Sequence, residues 1–344
     1  MVLMPPLVSI VVPARNEERF LSRCLDSILS GDYPQDRYEI LVMDGGSSDG
    51  TASVVSEIAS RHPQVRLLPN PGLTFPSGVN EGVRQSRGEI IAIMSAHAEY
   101  APDYISLCVR HLIESGAGNV GGITGPRAQT ETQFGRAVEA AVGHRFGSGN
   151  AAYRVSTDSV KEPVEVDTVF GGCYRREVFD RIGPLNESLR RSSDMDFNNR
   201  LRQAGDRILM FPDIKAEYFI RSRPGDLVTR NYLDGVWLTL PLRQGRVVFR
   251  PRHLVPLLFV TAVAALSVTA LFWLPAAWAL AILLGTYGVA DMVAGISASR
   301  RYSSDRVRLL LILLLVFPIR HFAYGIGSAV GLVRAAIPRG ARTR

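Results

Sequence analysis

Cysteine is scarce: Cys24, Cys108 and Cys173 are the only three in 344 residues, and no two form a C-x-x-C. So odd and scattered a set excludes a disulfide framework and a thiolate zinc site, and predicts reduced, mostly buried thiols in a cytosolic compartment. No basic segment precedes the apolar N-terminus, which Pro5-Pro6 interrupts before Val8-Ser-Ile-Val-Val12. It therefore reads as a first strand and not as a signal peptide. Excess positive charge is missing from most of the chain. From Ser297 onward nine arginines and no lysine oppose one acid, Asp305, leaving that stretch at +8; within a total of +7, residues 1–296 sum to about −1. Basicity confined to one end argues against a nucleic-acid partner and for anchoring at an anionic membrane face. Charge is absent altogether from Leu254 to Leu274, 21 residues, and Asp291 is the one charge in the 22 residues Pro275 to Ile296.

Each of those two runs is long enough to cross a hydrocarbon core of about 30 Å. Trp273 and Trp278 flank their short connection, as interfacial aromatics do. Arg246, Arg250 and Arg252 before the pair, and Arg300 to Arg308 after it, place both outer ends on the cytoplasmic side. A third segment is apolar from Leu309 to Phe317, polar at Pro318-Ile-Arg-His321, and apolar again from Phe322 to Val333. A through-span would put Arg320 near mid-membrane at a cost of a few kcal/mol. It would also export Arg334, Arg339, Arg342 and Arg344, whereas a re-entrant hairpin would keep them inside. The segment is membrane-embedded, with its topology open.

Upstream, apolar runs alternate with helical spacing. Strands are predicted at residues 7–12, Tyr38–Met43, Val65–Leu68 and Ile90–Met94, and helices at Glu18–Leu29, Thr51–Ser60 and Ser77–Gln85. That alternation predicts an α/β domain with a mostly parallel sheet. Ligands of such sheets sit at the carboxyl ends of the strands, where Asn16-Glu17, Asp44 and Ser95–His97 all fall.

Asp44-Gly-Gly-Ser-Ser-Asp-Gly-Thr51 is not a G-x-G-x-x-G, and alone it could be any strand-to-helix turn with Asp49 capping the next helix. Together with Val8-Ser-Ile-Val-Val-Pro-Ala-Arg-Asn-Glu-Glu18 it resembles the start of the inverting family 2 glycosyltransferases, which have the Rossmann-like GT-A fold. The resemblance implies that Pro13, Asn16, Glu17 and Asp44 hold the nucleotide's base and ribose. An acid such as Asp44 can accept the uracil imide N–H, favouring uridine over cytidine. Ser77-Gly-Val-Asn-Glu-Gly82 looks like the family's helix start near the donor, adding Asn80. Residues 96–104, 146–154 and 166–175, and His321-Phe-Ala-Tyr-Gly-Ile-Gly327, are similar to the membrane-anchored succinoglycan-biosynthesis group.

In Arg191-Ser-Ser-Asp-Met-Asp-Phe-Asn-Asn-Arg-Leu201 the family usually shows Glu-Asp; here Ser193 replaces the Glu, while Asp194 and Asp196 remain. Asp194 matches the general base, a carboxylate beside the acceptor hydroxyl. The plainer alternative is that Ser192, Ser193 and Asp194 only cap a helix over Met195–Ala204. Asp196 can orient the acceptor. Where the family presents Asp-x-Asp after the fourth strand, this chain has Ser95-Ala-His97. Serine is a weak neutral ligand, yet His97 can bind Mn²⁺, which accepts imidazole better than Mg²⁺ does, and Glu99 can assist. Two readings stand: a weakened Mn²⁺ or Mg²⁺ site, or a diphosphate met by His97 and arginines alone.

Arg221-Ser-Arg223 resembles the family's R-x-S/T segment, and the stretch to Trp237 its following Q-Y-x-x-x-G-x-W-like helix, with Arg230 in place of the expected Gln. Leu227, Val228, Tyr232, Leu233, Val236 and Trp237 form a candidate apolar stripe of an interfacial helix. Arg221, Arg223, Arg230 and Trp237 are therefore acceptor or diphosphate candidates; an ordinary packing helix is the alternative. The organisation predicted is a GT-A domain over 1–222, an amphipathic interfacial segment over 223–253, a membrane region over 254–333 and a basic tail over 334–344. The function implied is transfer of one sugar from a nucleotide-sugar, a UDP-sugar first, to a lipid-linked acceptor in polysaccharide assembly. The enzyme would be multi-pass in the cell (plasma) membrane with its catalytic domain cytoplasmic. Synthesis of a polyprenyl-phosphate sugar or glycolipid is the second enzymatic reading. Ser95 and Ser193 also keep a catalytically weak nucleotide-sugar- or lipid-binding scaffold in play. Two spans are too few for a polymer channel, which predicts single-sugar addition. No motif specifies an oligomeric state.

Overall fold

A computed structural model describes residues 4–149, 161–245, 249–300, 302 and 305–337. Residues 150–154 of one resemblance segment, Arg246, Arg301, Arg339, Arg342 and Arg344 lie outside the described residues. The chain forms two compact units, residues 1–125 with 156–219, and residues 126–155 with 220–344.

The first unit is built on strands β1 (Val8–Ala14), β2 (Tyr38–Asp44), β3 (Val65–Pro69), β4 (Ile90–Ile93), β5 (Ala98–Tyr100), β6 (Asn119–Ala128), β7 (Val164–Glu165), β8 (Phe170–Arg175) and β9 (Ile208–Ile220). They make one sheet in the order β3-β2-β1-β4-β8-β6-β9-β5, with β7 on β9. The first four strands pair in parallel, as the alternating pattern predicts. From β8 onward the pairing turns antiparallel: β4 with β8, β6 with β8, and β5 and β7 with β9. The sheet is thus mixed.

Helices α1 (Glu18–Leu29), α2 (Thr51–Arg61), α3 (Phe75–Gln85), α4 (Tyr104–Ser115), α7 (Arg176–Ile182) and α8 (Ser193–Gln203) cover this sheet. Successive strand residues point to opposite faces, so a strand buried on both sides is apolar throughout. Val8, Ile10, Val12, Ile40 and Val42 pack in one core with Leu21, Leu25, Val55 and Leu112. Val11, Leu41, Met43 and Ile91 pack in another with Val79, Phe179, Phe197 and Leu201. Helix α3 begins two residues before its expected start, because Thr74 caps it by accepting from Ser77 N–H and Pro76 suits its first turn. Gly82 lets α3 approach β1: a Cβ there would lie 2.4 Å from Val11 Cγ1.

At the amino ends of the strands, away from the site, the carboxylate of Glu39 is buried but fully engaged. It accepts from Ser9 Oγ (2.7 Å), Arg87 N–H (2.7 Å) and Arg87 Nε (3.1 Å). All three cysteines are free and buried, as the sequence predicts, and burial pushes the Cys24 thiol up to about 12.

The second unit contains α5 (Gln133–Val142), α6 (Arg145–Ser148), α9 (Pro224–Thr239), α10 (Val255–Thr269), α11 (Leu274–Ser299) and α12 (Arg306–Ala336). Segments Pro251–Thr269, Leu274–Ser299 and Arg306–Ala336 are long and apolar enough to cross a membrane. Helix α12 is continuous through Pro318 for 31 residues, about 46 Å at the α-helical rise. The polar Pro318–His321 stretch does not break it, and its charged and polar side chains find partners from distant segments of the chain. Arg320 Nε and Nη2 donate to the Gly147 carbonyl (3.2 and 2.9 Å). His321 Nε2 lies 2.9 Å from the Phe146 carbonyl, and its Nδ1 lies 2.8 Å from the Tyr287 hydroxyl. Helix α9 packs on α12 through glycine: a Cβ on Gly327 would lie 2.0 Å from the Tyr232 carbonyl, and one on Gly235 2.1 Å from the Tyr324 carbonyl. Thr239 Oγ1 donates to the Ser328 carbonyl at 2.7 Å. Of the stripe expected on α9, Leu227 and Val236 are buried and Val228 is exposed.

Candidate active site

The loops after β1 and β2 are laced together. Asn16 holds a left-handed backbone (φ 56°) that L-residues avoid and asparagine tolerates. From there its Oδ1 accepts from Ser48 N–H at 2.8 Å, while its own N–H donates to Ser47 Oγ at 3.0 Å. Ser47 in turn donates from its hydroxyl to Asp44 Oδ1 (2.5 Å) and from its N–H to the same carboxylate (3.2 Å). A carboxylate has about four acceptor positions, so Asp44 retains capacity for a further donor. The second loop ends in its own capping contacts. Asp49 Oδ1 accepts from Thr51 N–H at 3.1 Å and Oδ2 from Glu18 N–H at 3.3 Å, while Thr51 Oγ1 accepts from Glu17 N–H at 2.8 Å. Asp49 thus stabilises the start of α2 as the sequence suggests, from the residue before Gly50, which occupies the cap position itself.

Pro13 closes β1 beside this pair of loops; a Cβ on Gly78 would lie 3.2 Å from Pro13 Cβ, so the start of α3 abuts it. Asn80 does not face open space. Its Nδ2 donates to the Leu185 carbonyl (3.0 Å) and Glu187 (2.8 Å), and its Oδ1 accepts from Leu185 N–H (2.8 Å).

Beyond β4, each residue of the altered motif has protein partners. Ser95 N–H donates to the Tyr100 hydroxyl at 2.7 Å. His97 Nε2 lies 3.0 Å from the Tyr218 hydroxyl, and Nδ1 lies 3.0 Å from Glu17 Oε1 in an ion pair. Burial by itself disfavours the charged imidazole, but Tyr218 and the Glu17 carboxylate outweigh it and push His97 up to about 9. Glu99 Oε1 is 2.5 Å from Arg23 Nε. Among the described residues no three His, Cys, Asp or Glu side chains gather into a cation cluster.

Asp194 sits exposed in the first turn of α8, where the helix dipole favours a carboxylate. Ser192, at the cap position with φ 60°, makes no side-chain cap hydrogen bond. What fixes α8 lies beneath it. Asn198 Oδ1 accepts from Asn119 Nδ2 (3.1 Å) and the Tyr174 hydroxyl (3.3 Å), and its Nδ2 donates to Thr168 Oγ1 (2.9 Å). Asp196 is buried and paired with Arg200 Nε at 3.1 Å. Arg200 also donates to the Ile182 and Pro184 carbonyls (2.6 and 2.8 Å). Asp196 and Asn80 therefore hold the same loop, residues 182–187, from two sides.

The structure thus joins Asn16, Glu17, Asp44 and His97 in contiguous contacts, and groups Asn80 with Asp196 around the loop before Asp194. Arg221, Arg223, Arg230 and Trp237 belong to the second unit. Arg221 and Arg223 are exposed, Arg230 Nε lies 3.9 Å from Asp234 Oδ2, and Trp237 is half-buried on α9. Ser222 between the arginines is buried, 2.8 Å from Thr130 Oγ1. Sequence reasoning passed over Tyr218, Arg23 and Ser47. Ser47 was legible as a serine three residues past the end of β2; Tyr218 comes 121 residues after its partner and meets it only because β9 pairs with β5.

The sequence profile described as "Glycosyl transferase family 2" matches residues 9–183, just over half of the chain. The dolichyl N-acetyl-alpha-D-glucosaminyl phosphate 3-beta-D-2,3-diacetamido-2,3-dideoxy-beta-D-glucuronosyltransferase of Methanococcus voltae is 25% identical over 243 residues, 69% of this chain and 74% of its own length. The succinoglycan biosynthesis protein ExoA of Rhizobium meliloti is 26% identical over 216 residues, 62% of this chain and 63% of its own. The mannosyltransferase PcManGT from Pyrobaculum calidifontis, solved in complex with GDP-Man and Mn²⁺, overlays with a TM-score of 0.60 at 22% identity, covering 93% of this chain and 88% of its own. That likeness is one of fold.

Proposed function

The chain belongs to glycosyl transferase family 2 and is a glycosyltransferase of GT-A architecture; from that premise we propose that it moves one sugar from a nucleotide-sugar, first a UDP-sugar, to a lipid-linked acceptor at the cytoplasmic face of the cell membrane. The observation that carries the donor half is the contiguous set Asn16, Ser47 and Asp44 at the carboxyl ends of β1 and β2, with Glu17 and His97 alongside. Asp44 accepts the base imide N–H, and Pro13, Asn16 and Glu17 shape the ribose side. The acceptor half is supported by the Methanococcus voltae relative, whose name gives a dolichyl-phosphate-linked sugar as its substrate, and by the succinoglycan relative. Three helices able to span a bilayer fit an acceptor that stays in the membrane.

Asp194 is assigned as general base, taking the proton of the attacking hydroxyl as the nucleotide diphosphate leaves the opposite face of the sugar. Asp196 and Asn80 act through the 182–187 loop that they hold. Arg221, Arg223, Arg230 and Trp237 are assigned to the anionic head of the lipid acceptor or to the diphosphate. A divalent cation, Mn²⁺ as in the mannosyltransferase structure, would neutralise charge on the departing diphosphate. His97 is the residue of the altered motif with a ring nitrogen to offer it, on release from Glu17. The test is Asp194→Asn in detergent-solubilised full-length protein: transfer falls by at least a hundredfold while UDP binding holds. Unchanged turnover would remove Asp194 from the base role.

A further inference from the structure

Helices α10 and α11 of the second unit form a hairpin, and their register is fixed where Phe259 stacks on Tyr287 with ring centroids 4.7 Å apart. The ends flanked by Arg252 and Arg300 lie opposite the short turn between the two helices. Counted from the stacked pair towards those ends, Pro256 is three residues away and Gly295 eight, a difference of five residues or about 8 Å of hairpin. Both are points where α12 packs. A Cβ on Gly325 would fall against the Pro256 carbonyl, and one on Gly295 would lie 2.8 Å from Leu310 Cδ1. Leu310 and Gly325 are 15 residues apart on α12, about 22 Å. A helix running alongside the hairpin would advance along both equally. Advancing about 22 Å along itself for about 8 Å of the hairpin sets α12 at roughly 70° to it, across its arginine-flanked half.

The sides of α12 agree with that angle. From Asp305 to Gly331, 26 residues or about 39 Å, one side is taken by α5, α6 and α9. Gln133 Nε2 donates to Asp305 (2.8 Å), Phe146 packs on Phe317 (ring centroids 5.3 Å apart), and Gly235 and Gly327 seat α9. That length exceeds a hydrocarbon core of about 30 Å, so a through-span would carry those helices into the bilayer with it. They are unsuited to it: Arg136 and Arg145 are exposed on α5 and α6, and Arg230 and Asp234 are partly exposed on α9. Another side of α12 carries the exposed Val307, Leu311, Leu315, Ile326 and Val333. With 3.6 residues per turn they fall in one stripe about 100° wide. Arg306 and Arg308 at the start and Arg334 at the end are exposed, where guanidinium groups can meet lipid phosphates. We propose that α12 lies in the plane of the membrane, at the boundary of headgroups and acyl chains in the leaflet that holds the arginine-flanked ends of the hairpin. Its apolar stripe rests on lipid, and both its termini stay on one side. The chain then crosses the bilayer twice, and Arg320, met by the Gly147 carbonyl, sits among protein and not in hydrocarbon.

This rests on α10 and α11 crossing the membrane, which the same experiment reads separately. Phe272→Cys, Arg306→Cys and Ala336→Cys are made singly in the full-length protein, whose three native cysteines are buried. Each is labelled with a membrane-impermeant maleimide in sealed membrane vesicles of both orientations. Arg306→Cys and Ala336→Cys label at least tenfold faster in one orientation, and Phe272→Cys in the other. Nitroxides on Leu311→Cys, Leu315→Cys, Ile326→Cys and Val333→Cys then report depth by oxygen- against nickel-enhanced relaxation. All four read one shallow depth, about 5–10 Å into the boundary region, while Ala264→Cys on α10 reads deeper than Val255→Cys. Ala336→Cys labelling together with Phe272→Cys would make α12 a third span, and a depth passing through the bilayer centre between Leu315 and Ile326 would make it re-entrant. Either result, or four labels in water, overturns the in-plane placement and leaves the hairpin standing. Phe272→Cys labelling on the same side as Arg306→Cys removes the hairpin's crossing and the placement with it.

Discussion

Replacing Asn16 separates backbone strain from hydrogen bonding at the centre of the proposed donor site. Its φ of 56° costs an ordinary L-residue about 1–2 kcal/mol, and its side chain contributes one 2.8 Å bond to Ser48 N–H, worth about 0.5–1.5 kcal/mol net. Asn16→Gly keeps the backbone conformation and loses only the bond, a penalty of about 1 kcal/mol. Asn16→Ala loses the bond and also bears the strain, about 2–3 kcal/mol. The loop is exposed and does not support the core, so the penalty falls on the bound arrangement and appears in nucleotide affinity. At 1.4 kcal/mol per tenfold, Asn16→Gly weakens UDP binding by roughly fivefold and Asn16→Ala by roughly thirtyfold or more, with thermal midpoints within a few degrees of wild type. Calorimetric titration of UDP into each detergent-solubilised variant reads this directly. Equal affinities for glycine and alanine variants would refute the strain argument. No loss in either would refute the claim that the laced loops form the donor site.

Glu39→Ala leaves the buried Ser9 hydroxyl without its acceptor and the Arg87 N–H with only Ser9 Oγ, and costs about 1–3 kcal/mol; denaturant unfolding measures it, and an unchanged stability would contradict the network. Asn198→Leu leaves the Tyr174 hydroxyl and Asn119 amide without their acceptor beneath α8; stability falls by about 1–3 kcal/mol, and transfer falls further than unfolding explains because Asp194 loses its support. Gly327→Ala drives a methyl into the Tyr232 carbonyl and lowers the thermal midpoint in detergent, at the scale of about 1–3 kcal/mol for overpacking; an unchanged midpoint would show that α9 and α12 are not closely packed. Cys24, raised to about 12 by burial, is protonated at pH 8, so iodoacetamide leaves it unmodified in native protein and labels it after unfolding.

The sequence by itself determined the parallel strands β1 to β4, their covering helices and the apolar spans, because each rests on local periodicity and length. It also located Asn16, Glu17, Asp44 and His97 at strand ends, since parallel topology puts every such end on one side. Only tertiary structure decided what those side chains meet. Glu17 faces His97 and Glu99 faces Arg23, although the sequence would as readily pair His97 with its neighbour two residues on. Tyr218 reaches His97 through antiparallel pairing at the far edge of the sheet, a long-range contact that no local pattern encodes. The same holds at the other end of the chain. Arg320 looks prohibitive inside an apolar helix when read alone, and becomes tolerable because the Gly147 carbonyl, 173 residues earlier, is folded against it. Periodicity tells a residue which face it occupies; only the packed fold supplies the partner that decides what its charge or hydrogen bond is for.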